Sequence, residues 1–372
     1  MSSESAASLV PAPAASAIEP EIEHNDRTRR VIVTSIVDET VDARSFTIES
    51  ERCSDSQFAY TAGQFITVRV PYADGLARCY SLSSSPEADG GRSLTFTVKR
   101  VVGGVASNWI CDRIEVGDRL DVLAPTGVFT PASLDDSVVL VAGGSGITPI
   151  MSIAKSILHA GTGHVLLVYA NRNESSVIFA AELRALGEQF GERITVVHIL
   201  ESVQGYPVAH QLRSLIAPIV DRHVYVCGPE PLMDLVESVS LDAGIPRARL
   251  HAERFVSLSG DPFACVPLTG DKGDGGAGVD ASAVATVAVD LYGEHVSLQW
   301  QKPLRLLDAL LNAGVEVPFS CREGACSACV CTLRSGEVRM ASNEVLTDDD
   351  IADGYILPCQ AEQLTEQISI EY

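Results

Sequence analysis

A chain of 372 residues is long enough for two or three domains at roughly 150 residues each. Its make-up, 46% hydrophobic and 20% charged, excludes a fully disordered chain, and it contains no apolar run of about 18 residues that would span a membrane. Lys plus Arg number 27 against 49 Asp plus Glu, a formal net charge of −22, which argues against a nucleic-acid or anionic-membrane partner because phosphates would be repelled.

Residues 1–28, rich in Ala, Ser, Pro and Glu, read as a disordered tail with too little apolar surface to offset the ordering entropy. They show no basic segment followed by an apolar one, so no secretory signal is read and a cytoplasmic location is expected. From Val31 the pattern becomes β. Strands are expected at Val31–Thr34, Ser45–Ile48, Phe65–Val70, Leu94–Val98 and Leu120–Leu123. Gly, Pro and Asp turns separate them, as in an antiparallel β-barrel, assigned to residues 29–132. Near Ser137 the texture changes. Val138–Val141 is wholly apolar, as a parallel strand buried on both faces requires. His164–Tyr169, Ile194–Ile199 and His223–Val226 repeat it, with a helical stretch at Phe179–Glu188 between. Residues 133–268 are therefore expected to form a doubly wound α/β domain. Residues 269–282, rich in Gly and Asp, read as a flexible linker. Residues 283–372 form a third unit with two strand-like runs, a helix from Pro303 to Ala313 and a cysteine loop.

The ten cysteines are unevenly spread. Cys321, Cys326 and Cys329 have the spacing C-x4-C-x2-C, and Cys359 follows further on. That is the arrangement of a plant-type [2Fe–2S] cluster, in which each iron takes two thiolates besides the bridging sulfides. Small residues at Gly324, Ala325, Ser327 and Ala328 let backbone N–H groups approach the sulfurs. A structural zinc site is the competing reading, but it usually pairs two C-x2-C units and only one such step occurs here. Cys331 does not fit the spacing and is read as a buried bystander. The clustering favours metal binding over a disulfide framework, so no disulfides are expected.

Two segments ahead of the α/β domain suit a flavin. Arg78-Cys79-Tyr80-Ser81 offers a donor fork for pyrophosphate, a flat aromatic face and a hydroxyl. Gly104 to Ser107 opens a helical stretch whose free N–H groups and positive dipole end suit phosphate. Within the α/β domain, Val138–Val141 runs into Gly143-Gly144-Ser145-Gly146-Ile147-Thr148-Pro149 and a helix. Strand, glycine turn and helix place a pyrophosphate on the helix N-terminus. Val224–Val226 runs into Cys227-Gly228-Pro229, a second strand end in the same ligand crevice. Glu201 ends a strand where it would repel a 2′-phosphate and accept from a ribose hydroxyl, whereas Arg172 cuts the other way. The balance is read as favouring NADH.

Together these motifs resemble the ferredoxin–NADP reductase superfamily with a C-terminal plant-type [2Fe–2S] domain, over residues of about 30 to 372. The runs RCYSLSSSP, VASNWICD, GSGITPIMSI, YANR and FSCREGACSAC look most like the reductase components of actinobacterial 3-ketosteroid 9α-hydroxylases, which serve steroid degradation. The resemblance implies that Arg78, Tyr80 and Ser81 hold the flavin, with Val98, Lys99, Gly104 and Ser107 completing its contacts. The second motif implies FAD over the FMN of phthalate-type relatives. It further implies that Gly144, Gly146, Thr148, Cys227, Gly228 and Pro229 bind the dinucleotide, with Arg172 and Glu201 nearby. Ser81, Cys227 and Glu253 would serve the hydride step, Glu253 by helping to place the nicotinamide, although Arg254 is an unusual neighbour there. Cys321, Cys326, Cys329 and Cys359 would be the iron ligands.

The implied chemistry follows from electron count. NADH gives two electrons as a hydride, a [2Fe–2S] cluster accepts one at a time, and flavin does both. Plant-type clusters lie at roughly −400 mV and Rieske centres at about −150 mV or higher, so a Rieske-type terminal oxygenase is a sensible acceptor. Hydroxylation is expected in that partner, since this chain has no Rieske Cys/His pairs. Two other readings remain open at this stage. One is a reductase for another oxygenase, of phenylacetyl-CoA, aromatic-ring or P450 type, and the other a redox-sensing subunit without turnover.

Overall fold

The computed structural model describes residues 28–51, 58–71, 76–263 and 284–372. The expected linker, 269–282, and nearly all of the expected tail lie outside the described residues.

The first sheet is antiparallel throughout, with strands β1 (Thr28–Thr40), β2 (Ala43–Ser50), β3 (Phe65–Arg69), β4 (Ala77–Ser81), β5 (Ser93–Lys99) and β6 (Arg119–Thr126). Their order is β4-β3-β6-β1-β2-β5. A bridge between Leu82 and Phe96 ties the β4 end of that order to β5 and closes the barrel. Inside, Val33, Phe46, Ile48, Ile66, Leu94 and Phe96 are fully buried, and the Phe46 and Phe96 rings stack at 5.4 Å. A buried aromatic of this kind contributes about 2–3 kcal/mol. A short helix α1 (Pro86–Asp89) follows β4, and α2 (Val105–Arg113) lies between β5 and β6. The motif at Arg78 to Ser81, not among the expected strands, is strand β4, paired with β3 from Phe65↔Ser81 to Arg69↔Ala77.

The second sheet is parallel, built from β7 (Val138–Gly143), β8 (Val165–Asn171), β9 (Ile194–Leu200), β10 (His223–Cys227) and β11 (Leu250–Glu253) in the order β11-β10-β7-β8-β9. Helices α3 (Ile147–Ala160), α4 (Ala180–Phe190), α5 (Glu201–Gln204), α6 (Ala209–Ile216) and α7 (Glu230–Asp242) connect the strands. Every residue of β7 is buried because both faces are covered. Val138, Leu140 and Ala142 belong to one core with α3 and α4, whereas Val139 and Val141 belong to another with α6 and α7. The chain runs outward from β7 on both sides, so the C-terminal end of β7 is the topological switch point. Arg193 donates to the carbonyls of Ile157, Leu158, Gly161 and Gly163, satisfying acceptors that the end of α3 would otherwise leave bare. Strand β11 was not among the expected elements.

The third unit is richer than two strands and a helix. A mixed sheet β13-β12-β18-β14-β16 contains β12 (Val284–Leu291), β13 (Glu294–Gln301), β14 (Cys331–Ser335), β16 (Tyr355–Ile356) and β18 (Gln367–Glu371). A separate pair joins β15 (Val338–Met340) to β17 (Ala361–Gln363). The last strand, β18, pairs parallel to β12 and antiparallel to β14. Helix α8 (Leu306–Asn312) packs Leu306, Leu307 and Leu310 over the sheet core around Trp300, and α9 (Asp348–Ala352) lies outside it. Trp300 Nε1 donates to the Leu304 carbonyl at 2.8 Å, so its burial leaves no polar atom bare.

Candidate functional site

The strand ends of the barrel and the parallel sheet meet around a cavity of about 240 Å³. Arg78, Tyr80 and Ser81 of β4, Lys99 at the end of β5, and the start of α2 line it, with Ser145 and Thr148 from the glycine turn after β7. Gly104 and Ser107 both face it. Gly104 is the N-cap of α2, in extended backbone, and contributes no side-chain cap, which leaves helix N–H groups free for an anionic ligand. Ser107 Oγ accepts from Val101 N at 3.1 Å and fixes the entry turn. The Tyr80 ring stacks on Phe96 at 5.5 Å, and burial raises its hydroxyl pKa. Ser81 is buried. Val98 is fully buried in the barrel core, so its neighbours Thr97 and Lys99, rather than its own side chain, line the cavity. Arg78 Nη1 donates to the carbonyls of Ala77 and Leu258 at 2.7 and 2.9 Å.

The glycine turn answers to close packing. A Cβ on Gly146 would lie 2.1 Å from the Cys227 carbonyl oxygen, and one on Gly143 2.7 Å from Pro229. Gly144 has φ of 53°, a left-handed conformation that glycine adopts without penalty. The expected dinucleotide residues Gly144, Gly146 and Thr148 are thereby brought against Cys227, Gly228 and Pro229. The Tyr169 hydroxyl donates to the Gly144 carbonyl at 3.0 Å, and Thr148 Oγ1 donates to that of Ser145 at 3.2 Å. Lys99 reaches the same turn, 3.5 Å from where a Gly144 Cβ would stand, and burial lowers its pKa.

Cys227 ends β10 beside Ala142 on β7 and Glu253 on β11. Burial first, and the Glu253 carboxylate second, push its thiol well above the ordinary value. Removal from water raises the Glu253 carboxyl to about 8. Glu253 and Arg254 also line a wider cavity of about 710 Å³ that reaches Cys326 and Ser327. Arg172, just past β8, and Glu201, the first residue of α5, end adjacent strands, and Ser202 N donates to the Arg172 carbonyl at 2.9 Å.

The cysteine loop turns repeatedly, with positive φ at Arg322, Gly324 and Ser327. Cys321, Cys326, Cys329 and Cys359 are all buried. Cys321 lies within hydrogen-bond reach of both Cys326 and Cys359, and Cys359 of Cys329. Backbone N–H groups of Glu323 and Ala325 donate to Cys321 Sγ, each at 3.4 Å. The neighbouring Cys326 and Cys359 thiols first, and these amides after them, draw the Cys321 pKa far down. Among the described residues no three ligating side chains converge on a single ion position; a two-iron cluster would ask instead for thiolates in pairs. Cys331 opens β14, opposite Ile356, in the core cluster that also holds Cys329 and Cys359.

Behind the first cavity, the loop packs on the barrel's outer face. Phe65, Ala77 and Leu123 form one apolar cluster with Cys321, Ala325, Cys326 and Ala328. Cys79, which lines the cavity, lies 3.9 Å by its Sγ from Ser320 Oγ, and Ser320 Oγ is 2.5 Å from Thr67 Oγ1. No sequence pattern announced this contact, because its partners are some 250 residues apart in the chain.

A closed antiparallel barrel, a parallel nucleotide-binding sheet and a thiol-rich mixed sheet define a flavin- and nicotinamide-dependent oxidoreductase that carries its own iron–sulfur domain. Family models match in that order: an oxidoreductase FAD-binding domain at residues 30–130, an oxidoreductase NAD-binding domain at 140–238 and a 2Fe-2S iron-sulfur cluster binding domain at 289–362. The chain is 48% identical over 354 residues to the "3-ketosteroid-9-alpha-monooxygenase, ferredoxin reductase component" of Rhodococcus rhodochrous, covering 95% of this chain and 99% of that one. It is 47% identical over 345 residues to the protein of the same description from Mycolicibacterium smegmatis, covering 91% and 96%. The solved structure of phthalate dioxygenase reductase superposes with a TM-score of 0.56 at 26% identity, covering 93% of this chain and 98% of that one. The chain belongs to the family of 3-ketosteroid-9-alpha-monooxygenase ferredoxin reductase components. It is an electron-transfer reductase using FAD, NADH and a [2Fe–2S] cluster. None of its helices is long and apolar enough to cross a membrane, among the described residues.

Proposed function

We propose that this chain passes electrons from NADH to a Rieske-type oxygenase that hydroxylates 3-ketosteroids. The observation that carries the reading is the seating of the cysteine loop on the barrel face behind the flavin-motif cavity, with Cys79 between cavity and loop. Arg78, the N-terminus of α2 and Lys99 suit the phosphates of FAD, and Tyr80 and Ser81 suit its ring. The glycine turn and the Cys227–Pro229 corner suit the pyrophosphate and nicotinamide of NADH, with Glu253 beside Cys227. Cys321, Cys326, Cys329 and Cys359 supply four thiolates for the cluster. Bound there, FAD would supply the conversion between a two-electron hydride and the single electrons that a [2Fe–2S] cluster takes. The protein's own part would be to hold the electron donor, NADH, and the acceptor, the cluster, beside the flavin site and exclude water between them. The steroid assignment rests on identity near half of all positions over almost the full length of both relatives.

An anaerobic titration with NADH, repeated with NADPH, tests the relay. Flavin and cluster absorbance should both bleach, with about three electrons taken up per chain: two for the flavin and one for the cluster. Reconstitution with purified oxygenases of the 3-ketosteroid, phenylacetyl-CoA and aromatic-ring types tests the acceptor. Turnover confined to the last two would replace the steroid reading. Bleaching by dithionite but not by NADH would replace both with a sensor.

A further inference from the structure

The segment Leu258–Phe263, which follows the last strand of the parallel sheet, belongs to no strand yet touches both of the other units. Towards the barrel, Arg78 Nη1 donates to the Leu258 carbonyl at 2.9 Å. Arg69 Nη2 pairs with Asp261 Oδ2 at 3.4 Å, and its guanidinium lies 4.6 Å from the Phe263 ring centre. Leu258 and Phe263 are buried at 4% and 2% exposure, in the same cluster as Phe65 and Leu123 of the barrel and Cys321 and Ala328 of the cysteine loop. Towards the loop, the Glu323 carboxylate accepts from Ser259 N at 2.9 Å, from Ser259 Oγ at 3.1 Å and from Gly260 N. Two consecutive backbone donors and a hydroxyl gathered on one carboxylate are a charge-assisted grip, stronger than neutral hydrogen bonds. A Cβ on Gly260 would stand 2.5 Å from Glu323 Oε1, so a side chain there would oblige the carboxylate to shift.

We propose that Glu323 is a positioning residue, which seats the iron–sulfur unit against the flavin unit by engaging the Ser259–Gly260 backbone of the segment that bridges them. The inference rests on the electron relay proposed above. Glu323 makes no contact with the flavin-motif cavity, and its place between Cys321 and Cys326 gives it leverage over the loop as a whole. Electron transfer then depends on a latch whose two halves lie on different units: one electron leaves reduced flavin, which is oxidised, and reduces one ferric ion of the cluster.

Two variants of the full-length holoprotein test this. Glu323→Gln removes the charge, and Gly260→Ala crowds the carboxylate out of its seat while keeping the charge. In both, cluster reduction after flavin reduction, followed by stopped-flow absorbance, should slow by about tenfold, as loss of a charge-assisted grip implies. NADH–ferricyanide turnover, which draws electrons directly from the flavin, should be unchanged. The Ser259 and Gly260 amides should exchange hydrogen faster in both variants, and the cluster's electron paramagnetic resonance signal and content should persist. Unaltered amide exchange and cluster reduction in both variants would overturn the latch. Slower transfer accompanied by loss of the cluster signal in both would overturn it too, by showing that Glu323 holds the loop's fold. Failure of the unmodified protein to pass electrons from flavin to cluster would sink the underlying relay instead.

Discussion

The Arg172 guanidinium pairs with the Asp42 carboxylate at 2.8 Å, joining the end of β8 to the β1–β2 turn of the barrel. Burial works against the Asp42 charge, but Thr40, Lys99 and Arg172 together hold its pKa below the usual value. Arg172 is the one basic group for which the sequence argued in favour of a 2′-phosphate, and the structure has it engaged by an acid from another unit. If Arg172 faces the ribose, Asp42 would act against NADPH by withholding that cation, alongside the repulsion expected from Glu201. Asp42→Asn should raise kcat/KM for NADPH relative to NADH by about tenfold, the worth of a modest charge-assisted contact. Steady-state kinetics with both donors checks this, and an unchanged ratio would show that Arg172 does not face the ribose.

Glu253 leads to a pH prediction. Its carboxyl is raised to about 8 by removal from water, with the Cys227 and Cys79 thiols as its titratable neighbours. The folded state therefore holds a proton that the unfolded chain has released above its ordinary value of 4.5. Stability falls as pH rises between those two values, because the unfolded state binds fewer protons there. Glu253→Gln should abolish that part of the slope, becoming more stable than the parent at pH 9 and no more stable at pH 4. Thermal unfolding across that range checks it. A step near pH 8 in the NADH–ferricyanide rate should vanish in the same variant.

The legible parts of the molecule were those written in local pattern. Val138–Val141 is apolar without interruption because both faces of β7 are covered, and the thiol spacing from Cys321 to Cys329 lies within a single loop. Strand β4 escaped notice because Arg78 and Cys79 break any apolar alternation, the strand's interior side being given to the cavity. Strand β11 has only four residues at a sheet edge and no fully buried position. The small strands after Cys331 pair across long separations, β18 with β12, and separation leaves no trace in a sequence window. The grip of Glu323 on Ser259 and Gly260 is made to backbone N–H groups, which every sequence carries alike. The Asp42–Arg172 pair is equally silent, since any acid and any base would look the same until the fold brought them together.

Gly146→Ala should separate binding from folding of the other two units. The new methyl would meet the Cys227 carbonyl at 2.1 Å, and backbone on both sides leaves nothing flexible to give way. Forced overpacking of this kind costs about 3 kcal/mol or more. The glycine turn would be pushed away from the Cys227–Pro229 corner, and NADH binding should be lost. Cluster absorbance should remain, because the cysteine loop does not depend on that contact, and flavin should be kept by β4 and the α2 cap, which form the rest of the cavity besides Ser145 and Thr148 of the turn. A variant that binds NADH normally would show that the two strand ends separate at little cost.

The ligand set can be separated from the nearby thiol by paired substitutions. Cys329 and Cys331 are both buried, two residues apart and in one core cluster that also holds Cys359. Cys329 interacts with Cys359, while Cys331 opens β14 opposite Ile356. Cys329→Ser replaces a soft thiolate by a poor iron donor, and the variant should lose the visible absorbance and iron of the cluster while retaining flavin reduction by NADH. Cys331→Ala should keep both, and should lower unfolding stability by about 1–2 kcal/mol, the cost of deleting one buried heavy atom from a packed core. Iron content and denaturant melts of the two variants side by side decide the assignment. Loss of iron from Cys331→Ala at full flavin content would move the fourth ligand from the loop to the strand.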